Sequence, residues 1–240
     1  MLEEHIKDMD TRRYILSRIC NRILASDKKG ISVNSLSKLE RIAYDVIVGI
    51  VKEIESRGII KIINNETIIP LSKLKLAIYC ISQGVPVEQV SLHLHWRDFE
   101  ELVSEYLVAH NYVVYRSLRI SPPRGVEVDV IGQKGELGLV IDCKHWSPGY
   151  SKTSKLKQAS IDHYNRVKIL AKKLWILARK HAKLRELRKL VPIIVTLTDI
   201  NLRFYQGVLI SPISLFNDFL LNIDAILDHY NCIVRVECYP

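Results

Sequence analysis

The sequence predicts an α/β fold, a mixed central sheet flanked by helices and preceded by a mainly helical domain. Three observations carry this reading. Early segments show apolar residues on a helical period, as in Ile15, Leu16, Ile19, Ile23 and Leu24 within residues 11–27. Three short apolar, β-rich runs then follow one another at 112–119, 126–132 and 137–144. A long basic helical stretch separates these from further β-rich runs at 191–198 and 206–210, so helices and strands alternate.

In chain order, DKKG at 27–30 breaks the first helix. A short helix is expected from Val33 to Leu39, then a longer one from Glu40 to Arg57, stopped by Gly58. GIIKIINNETIIP gives two short strands around an Asn64–Asn65 turn. A connecting helix over 71–84 ends at Gly84, and Pro86 opens another short helix. The second half reads as helix 97–110, the three strands, the basic helix or helix pair over 153–189, two strands, helix 213–229 and a last strand near 232–238. The expected division is residues 1–70, a helical connector at 71–95, and 96–240.

The 240 residues suit one large or two small domains. Apolar residues at 48% and charged residues at 25% exclude a mainly disordered chain. No apolar run approaches the roughly 18 residues of a membrane span, and MLEEHIKDMDTRR is too charged for a secretory leader. Five scattered cysteines, Cys20, Cys80, Cys143, Cys232 and Cys238, have no metal-binding spacing and read as reduced thiols. A cytoplasmic protein is expected, with no membrane and no small-molecule cofactor.

The net charge is +9. Residues 151–190 hold thirteen Lys or Arg against Asp162 and Glu186, a net +11, which leaves the other 200 residues at −2. A solvated helix face is the plain reading of such a run. An imbalance this large instead favours a phosphate-facing surface and DNA as partner, with Lys152, Lys155 and Lys157 at its start.

The sharpest signal is VEVDVIGQKGELGLVIDCKHW, residues 126–146. Two apolar strands meet at a turn containing Gly132 and Gly135, and each carries charge where a buried strand should be apolar. Asp129 interrupts the first. Asp142 and Lys144 interrupt the second, on one face by the two-residue period. Buried charges cost several kcal/mol in order of magnitude unless paired or metal-bound. Two carboxylates and an ammonium suggest a hard-cation site with a positioned lysine. Phosphodiester hydrolysis needs such a set: Mg²⁺, or Mn²⁺ in its place, held by Asp129, Asp142 and the backbone carbonyl of Cys143, with Lys144 as the catalytic cation. An isolated D-x-K is most often a surface ion pair at a strand end; the order helix, strand, strand with Asp, turn, strand with D-x-K, helix is much rarer.

DFEELVSEYLVAHNYVVYRS, RGVEVDVIG and LVIDCKHW, taken together, resemble the PD-(D/E)xK nuclease superfamily, and within it Mrr-type restriction endonucleases and archaeal Holliday junction resolvase-like nucleases. The resemblance covers about residues 96–200. It implies a restriction-endonuclease-like fold and metal-dependent DNA cleavage, with Asp129, Asp142 and Lys144 in the catalytic positions. Val128 stands where the eponymous proline would be, and Asp142 where Mrr-type enzymes commonly have Gln or Glu. The superfamily also has a glutamate on its first core helix. At 100° per residue, Glu100 lies at the edge of the stripe formed by Phe99, Leu102, Val103, Tyr106 and Leu107, whereas Glu101 points toward solvent; Glu100 is therefore the expected third acidic group. Glu127 shares the face of Asp129 and could join the metal site or pair with a basic residue; Gln158 is a further accessory candidate, with Tyr164 behind it. Arg116, Arg119 and Arg124 are candidate phosphate contacts.

The pattern of ISVNSLSKL, a long helix and SRGIIKI resembles winged-helix domains over residues 10–70. Its third helix sums to −1, through Glu40, Asp45, Glu53 and Glu55 against Arg41, Lys52 and Arg57, so contact with DNA and contact with protein stay open. The expected function is a Mg²⁺-dependent DNA endonuclease in restriction, repair or junction processing. A homodimer would supply two active sites for two opposed scissions. The alternatives are a non-catalytic DNA-binding or regulatory protein on the same scaffold and, last, an RNA nuclease.

Overall fold

The computed structural model describes residues 2–27, 29–121, 125–146 and 152–237. The chain divides into two compact units, residues 1–98 and 99–240. Arg124 and Cys238 lie outside the described residues.

In the first unit, helix α1 spans Leu2–Ala25 and buries Leu16, Ile19, Cys20, Ile23 and Leu24. Strand β1, Ile31–Ser32, leads into helix α2, Val33–Glu40, whose N-terminus is capped by the Ser32 hydroxyl accepting from the Ser35 N–H at 3.0 Å. Glu40 closes α2 rather than opening the next helix, as the sequence suggested. Arg41 adopts the left-handed conformation, φ 54°, and the Ile42 N–H returns to the Ser37 carbonyl. Helix α3 therefore begins later, at Tyr44–Ser56. Strands β2, Ile60–Ile63, and β3, Thr67–Pro70, form the expected hairpin; Asn64 and Asn65 both take positive φ, 53° and 57°, as a tight two-residue turn demands. Sheet order is β1-β3-β2. Helices α4, Lys73–Ser82, and α5, Val87–Ser91, complete the unit.

Two buried features hold α1 in place. The Nε atoms of Arg18 and Arg22 donate to the two carboxylate oxygens of Glu40, which is 5% exposed. Burial pushes the Glu40 carboxyl up, but hydrogen bonds from Arg22 and Arg18 outweigh it and hold the group below its ordinary value. In addition, Cys20 on α1 and Cys80 on α4 form a disulfide, with Cα atoms 6.7 Å apart. The expectation of reduced thiols fails for this pair. Both sit on the buried stripes of helices that face each other, a juxtaposition that sequence spacing does not reveal. Cys143 and Cys232 are free.

In the second unit, the unit boundary falls in the first turn of helix α6, Trp96–Ala109. Three antiparallel strands follow: β4, Val113–Ile120, β5, Val126–Lys134, and β6, Leu137–Lys144. Gly132 belongs to β5 rather than to the turn. It lets α6 approach, since a Cβ there would lie 3.0 Å from the Leu107 methyls. Helix α7 is Lys152–Ala178, ending before the expected 189; a 3₁₀ turn at Ala182–Glu186 carries the rest. Strand β7, Lys189–Thr196, lies parallel to β6. Strands β8, Phe204–Tyr205, and β9, Val208–Pro212, form a hairpin where one strand was expected, turning at Gln206 and Gly207 with positive φ. Strand β9 runs parallel to β7. The expected helix 213–229 is broken into a 3₁₀ turn and helices α8, Phe216–Leu221, and α9, Ile223–His229. Strand β10, Val234–Arg235, pairs with β7.

The sheet order is β4-β5-β6-β7-β9-β8, a mixed sheet. Leu156, Ser160, His163, Val167, Leu170, Leu174 and Leu177 of α7 are buried at three- and four-residue spacing, which leaves Lys155, Lys157, Lys168 and Lys172 exposed. Thus the basic segment is a helix that anchors itself by its apolar stripe and shows its lysines outward. Among the described residues, no helix is long and apolar enough to cross a membrane.

The disulfide closes a loop with a sequence separation of 60. Loop-closure entropy then predicts a stabilisation of about 4 kcal/mol. Urea unfolding with and without dithiothreitol should show a lower midpoint for the reduced protein; Cys20→Ser with Cys80→Ser should reproduce that midpoint in both conditions.

Candidate active site

The site is built where β5, β6 and α7 meet. The ladder between β4 and β5 pairs Arg116 with Val130 and Leu118 with Val128, but skips Ser117 and Asp129 between them. Ser117 has φ 52°, a left-handed kink in an otherwise extended strand. On the other side, pairing of β5 with β6 begins only at Val130. Asp129 thus stands at a local break in the ladder. Its Oδ2 accepts the backbone N–H of Cys143 at 2.8 Å.

Asp142 and Lys144 share a face of β6, as the two-residue period requires. Lys144 Nζ lies 2.6 Å from Asp142 Oδ2. Asp142 is 5% exposed. From α7, Arg166 donates to Asp142 Oδ1 at 2.7 Å. Asp129 feels Asp142, Lys144 and Arg166, so the two carboxylates and two cations form one electrostatic group.

The two acids are pushed in opposite directions. Burial raises the Asp129 carboxyl, aided by the negative charge of Asp142 and opposed by the Cys143 N–H. Burial also raises Asp142, but the charges facing it outweigh burial and hold that group below its usual value: His163 contributes only in its protonated form, Lys144 and Arg166 throughout. Asp142 is the firmly ionised member. Burial raises the Cys143 thiol well above its ordinary value, with the negative charges of Asp129, Asp142 and Glu100 adding to it. That thiol stays protonated and is no nucleophile at neutral pH.

Two residues of this cluster were not singled out in the sequence. Arg166 was only one charge among thirteen. His163, 3% exposed, occupies a core position on the α7 stripe. Its Nε2 lies 2.9 Å from the Val140 carbonyl and its Nδ1 faces Arg166 at 3.5 Å. A carbonyl can only accept, so Nε2 carries the proton and neutral Nδ1 is turned to the guanidinium. Burial lowers this histidine to about 4. The available signal was a polar ring at a heptad-like core position, followed three residues later by an arginine.

The remaining expected residues divide. Glu100 is half-buried on α6 and within electrostatic reach of Cys143, while Glu101 pairs with Arg116 at 3.1 Å on the surface. Glu127 is exposed on the Asp129 face and pairs with Arg119, its partner across the ladder, at 2.8 Å, so it does not join the cluster. Gln158 is exposed and donates to Asp162 at 3.0 Å, one helical turn on. Arg116 and Arg119 of β4 are thus occupied by carboxylates, from α6 and β5 respectively. Lys152 Nζ reaches the Trp146 carbonyl at 3.3 Å, and Lys155 and Lys157 are exposed. His145 packs edge-on against Phe99, a structural contact.

No group of three or more His, Cys, Asp or Glu that could hold a metal occurs among the described residues. The donor set available to a hard cation is therefore two carboxylates and a backbone carbonyl, a set that Mg²⁺ completes with waters and phosphate oxygens. The donor chemistry fits such an ion, and Asp142 Oδ2 is meanwhile met by the Lys144 ammonium at 2.6 Å.

No protein-family model matches the chain. An uncharacterized protein of Archaeoglobus fulgidus is 26% identical over 138 residues, 57% of this chain and 98% of that protein. The crystal structure of protein VC1899 from Vibrio cholerae aligns at a TM-score of 0.36 and 10% identity, over 92% of this chain and 56% of that one. The chain therefore spans little more than half the length of that protein.

His163 generates a prediction. Its folded value, about 4, lies below the unfolded value near 6.5. The unfolded chain thus binds the proton first, so the stabilisation is complete above about pH 6.5 and is lost as pH falls toward 4. The loss amounts to roughly 3 kcal/mol. Urea unfolding in EDTA across this window should show the decline, and His163→Gln should flatten it.

Proposed function

We propose that residues 99–240 form a metal-dependent DNA endonuclease domain of the PD-(D/E)xK kind, acting in restriction, repair or junction processing. We assign the preceding residues to a winged-helix-like unit. The observation that carries this reading is the convergence of Asp129, Asp142 and Lys144 on the neighbouring strands β5 and β6, with Asp142 almost fully buried. The element order α6-β4-β5-β6-α7, with the D-x-K strand third, supports it.

In this reading Asp129, Asp142 and the Cys143 carbonyl would hold Mg²⁺ or Mn²⁺. Such an ion, when bound, acidifies a coordinated water and neutralises charge on the phosphate. The chain's own groups do the positioning. Arg166 holds the Asp142 carboxylate from α7, and neutral His163 holds Arg166 without adding charge. Lys144 presents an ammonium to the charge that develops on the scissile phosphate or its leaving oxygen. Glu100 stands behind Cys143 as a water-positioning group.

A second reading has its own observation. Lys144 and Arg166 already balance Asp129 and Asp142 without any added ion. A self-neutralised cluster of this kind also suits a non-catalytic DNA-binding scaffold.

One experiment separates the two. The purified protein is incubated with Mg²⁺ or Mn²⁺ and labelled single strand, duplex, flap, nicked duplex and four-way junction. The nuclease reading expects metal-dependent cleavage that falls at least about a hundredfold in Asp142→Ala and Lys144→Ala. Binding to the panel without cleavage in either metal selects the scaffold.

A further inference from the structure

Beside the carboxylate cluster lies a feature that the nuclease reading does not use. Leu156, Ile194, Val208 and Ile210 form a small buried cluster, and three half-buried aromatic rings, Trp146, Tyr164 and Tyr205, pack against it. Each of these rings has a lysine ammonium over it. Lys144 lies 5.8 Å from the Trp146 centroid, Lys168 lies 4.5 Å from that of Tyr164, and Lys157 lies 5.4 Å from that of Tyr205. The rings come from three different elements: the segment after β6, helix α7 and strand β8. The first lysine in the row is Lys144, so the row begins at the candidate catalytic site.

The β8–β9 turn is fitted to this arrangement. Gly207 has φ 80°, and a Cβ there would come within 2.8 Å of the Tyr164 ring. The turn therefore rests on Tyr164 and brings Tyr205 into the row beside it. Lys157 and Lys168 are exposed, and no acidic side chain pairs with either among the described residues.

We propose that this strip is a binding track for unpaired nucleotides, so that the substrate is DNA with a single-stranded segment next to the scissile phosphate. The proposal rests on the nuclease reading for the word substrate; the binding track stands on its own geometry. Bases in a closed duplex have their faces covered by their neighbours and cannot reach a protein ring. Unpaired bases expose both faces, and aromatic rings set among lysines meet their two needs, stacking for the base and positive charge for the phosphate. Lys144 is held by Asp142, but the exposed ammoniums of Lys157 and Lys168 are weakly held above their rings and can turn to a phosphate while the ring accepts a base.

Fluorescence anisotropy in EDTA, where cleavage cannot occur, tests the track. The probes are oligothymidylate of about 15 nucleotides, an abasic strand of the same length, and a blunt duplex. The expected order is oligothymidylate first, with the abasic strand weaker by at least roughly fivefold. Tyr164→Leu and Tyr205→Leu should each weaken oligothymidylate by roughly five- to a hundredfold and leave the abasic strand unchanged. Tyr164→Phe and Tyr205→Phe should bind as the wild type, which separates lost stacking from lost folding; thermal melts accompany each variant. Lys157→Ala with Lys168→Ala should weaken both single strands and flatten the salt dependence. Equal affinity for oligothymidylate and the abasic strand, or folded leucine variants that bind as the wild type, would overturn the proposal. Preference for unpaired bases without cleavage in any metal would keep the track and remove the nuclease. Metal-dependent cleavage without that preference would do the reverse.

Discussion

A carboxylate at 5% exposure organises the second unit. Left alone in an apolar sheet, Asp142 would be protonated or would unfold its surroundings. Two cations prevent this, from opposite directions: Lys144 from two residues along the same strand and Arg166 from the helix laid over it. Much else serves that arrangement. The apolar stripe of α7 fixes the helix on the sheet, and His163, bonded to the Val140 carbonyl, fixes the turn that carries Arg166. A charged partner at position 163 would add a third cation to the group. Burial keeps the ring neutral instead.

The first unit solves a related problem with the same tools. Glu40 is buried at the end of α2, and two arginines one turn apart on α1 converge on it. There the cations are half-exposed and the group sits at a helix junction rather than at a strand end. The contact ties α1 to α2, while the disulfide ties α1 to α4. Helix α1 is thus tied by one ionic and one covalent contact, to which the Arg12–Glu53 pair and the Lys73 ammonium on the Leu24 carbonyl add two more.

Much of this was legible in the sequence because it depends on local periodicity. The Asn64–Asn65 turn follows from residues that tolerate positive φ, and the shared face of Asp142 and Lys144 follows from the two-residue period of a strand. What was hidden depends on long-range pairing. Cys20 and Cys80 looked like core thiols because nothing in the spacing shows that α1 and α4 face each other. Arg166 was masked by the surrounding lysines, although only its position beside the buried stripe lets it reach the sheet. Which of its two courses Glu127 takes was also hidden: it keeps the Asp129 face, but Arg119 across the strand pair claims it. Breaks within the expected long helices, at Arg41 and Asn222, come from single residues with non-helical backbone whose identity alone does not require it.

The kink at Ser117 separates stability from geometry at one position. Its side chain contributes nothing to the charge cluster, yet its left-handed backbone is what interrupts the ladder beside Asp129. A non-glycine residue in that conformation costs on the order of 1 kcal/mol, and a β-branched residue resists it more strongly. A strand straightened there would recover regular pairing and lower its own free energy. It would also draw the carboxylate of Asp129 back into the register of a plain ladder. The edge strand is therefore held slightly out of its own optimum, and the freedom of the acid beside it is the counterpart of that compromise.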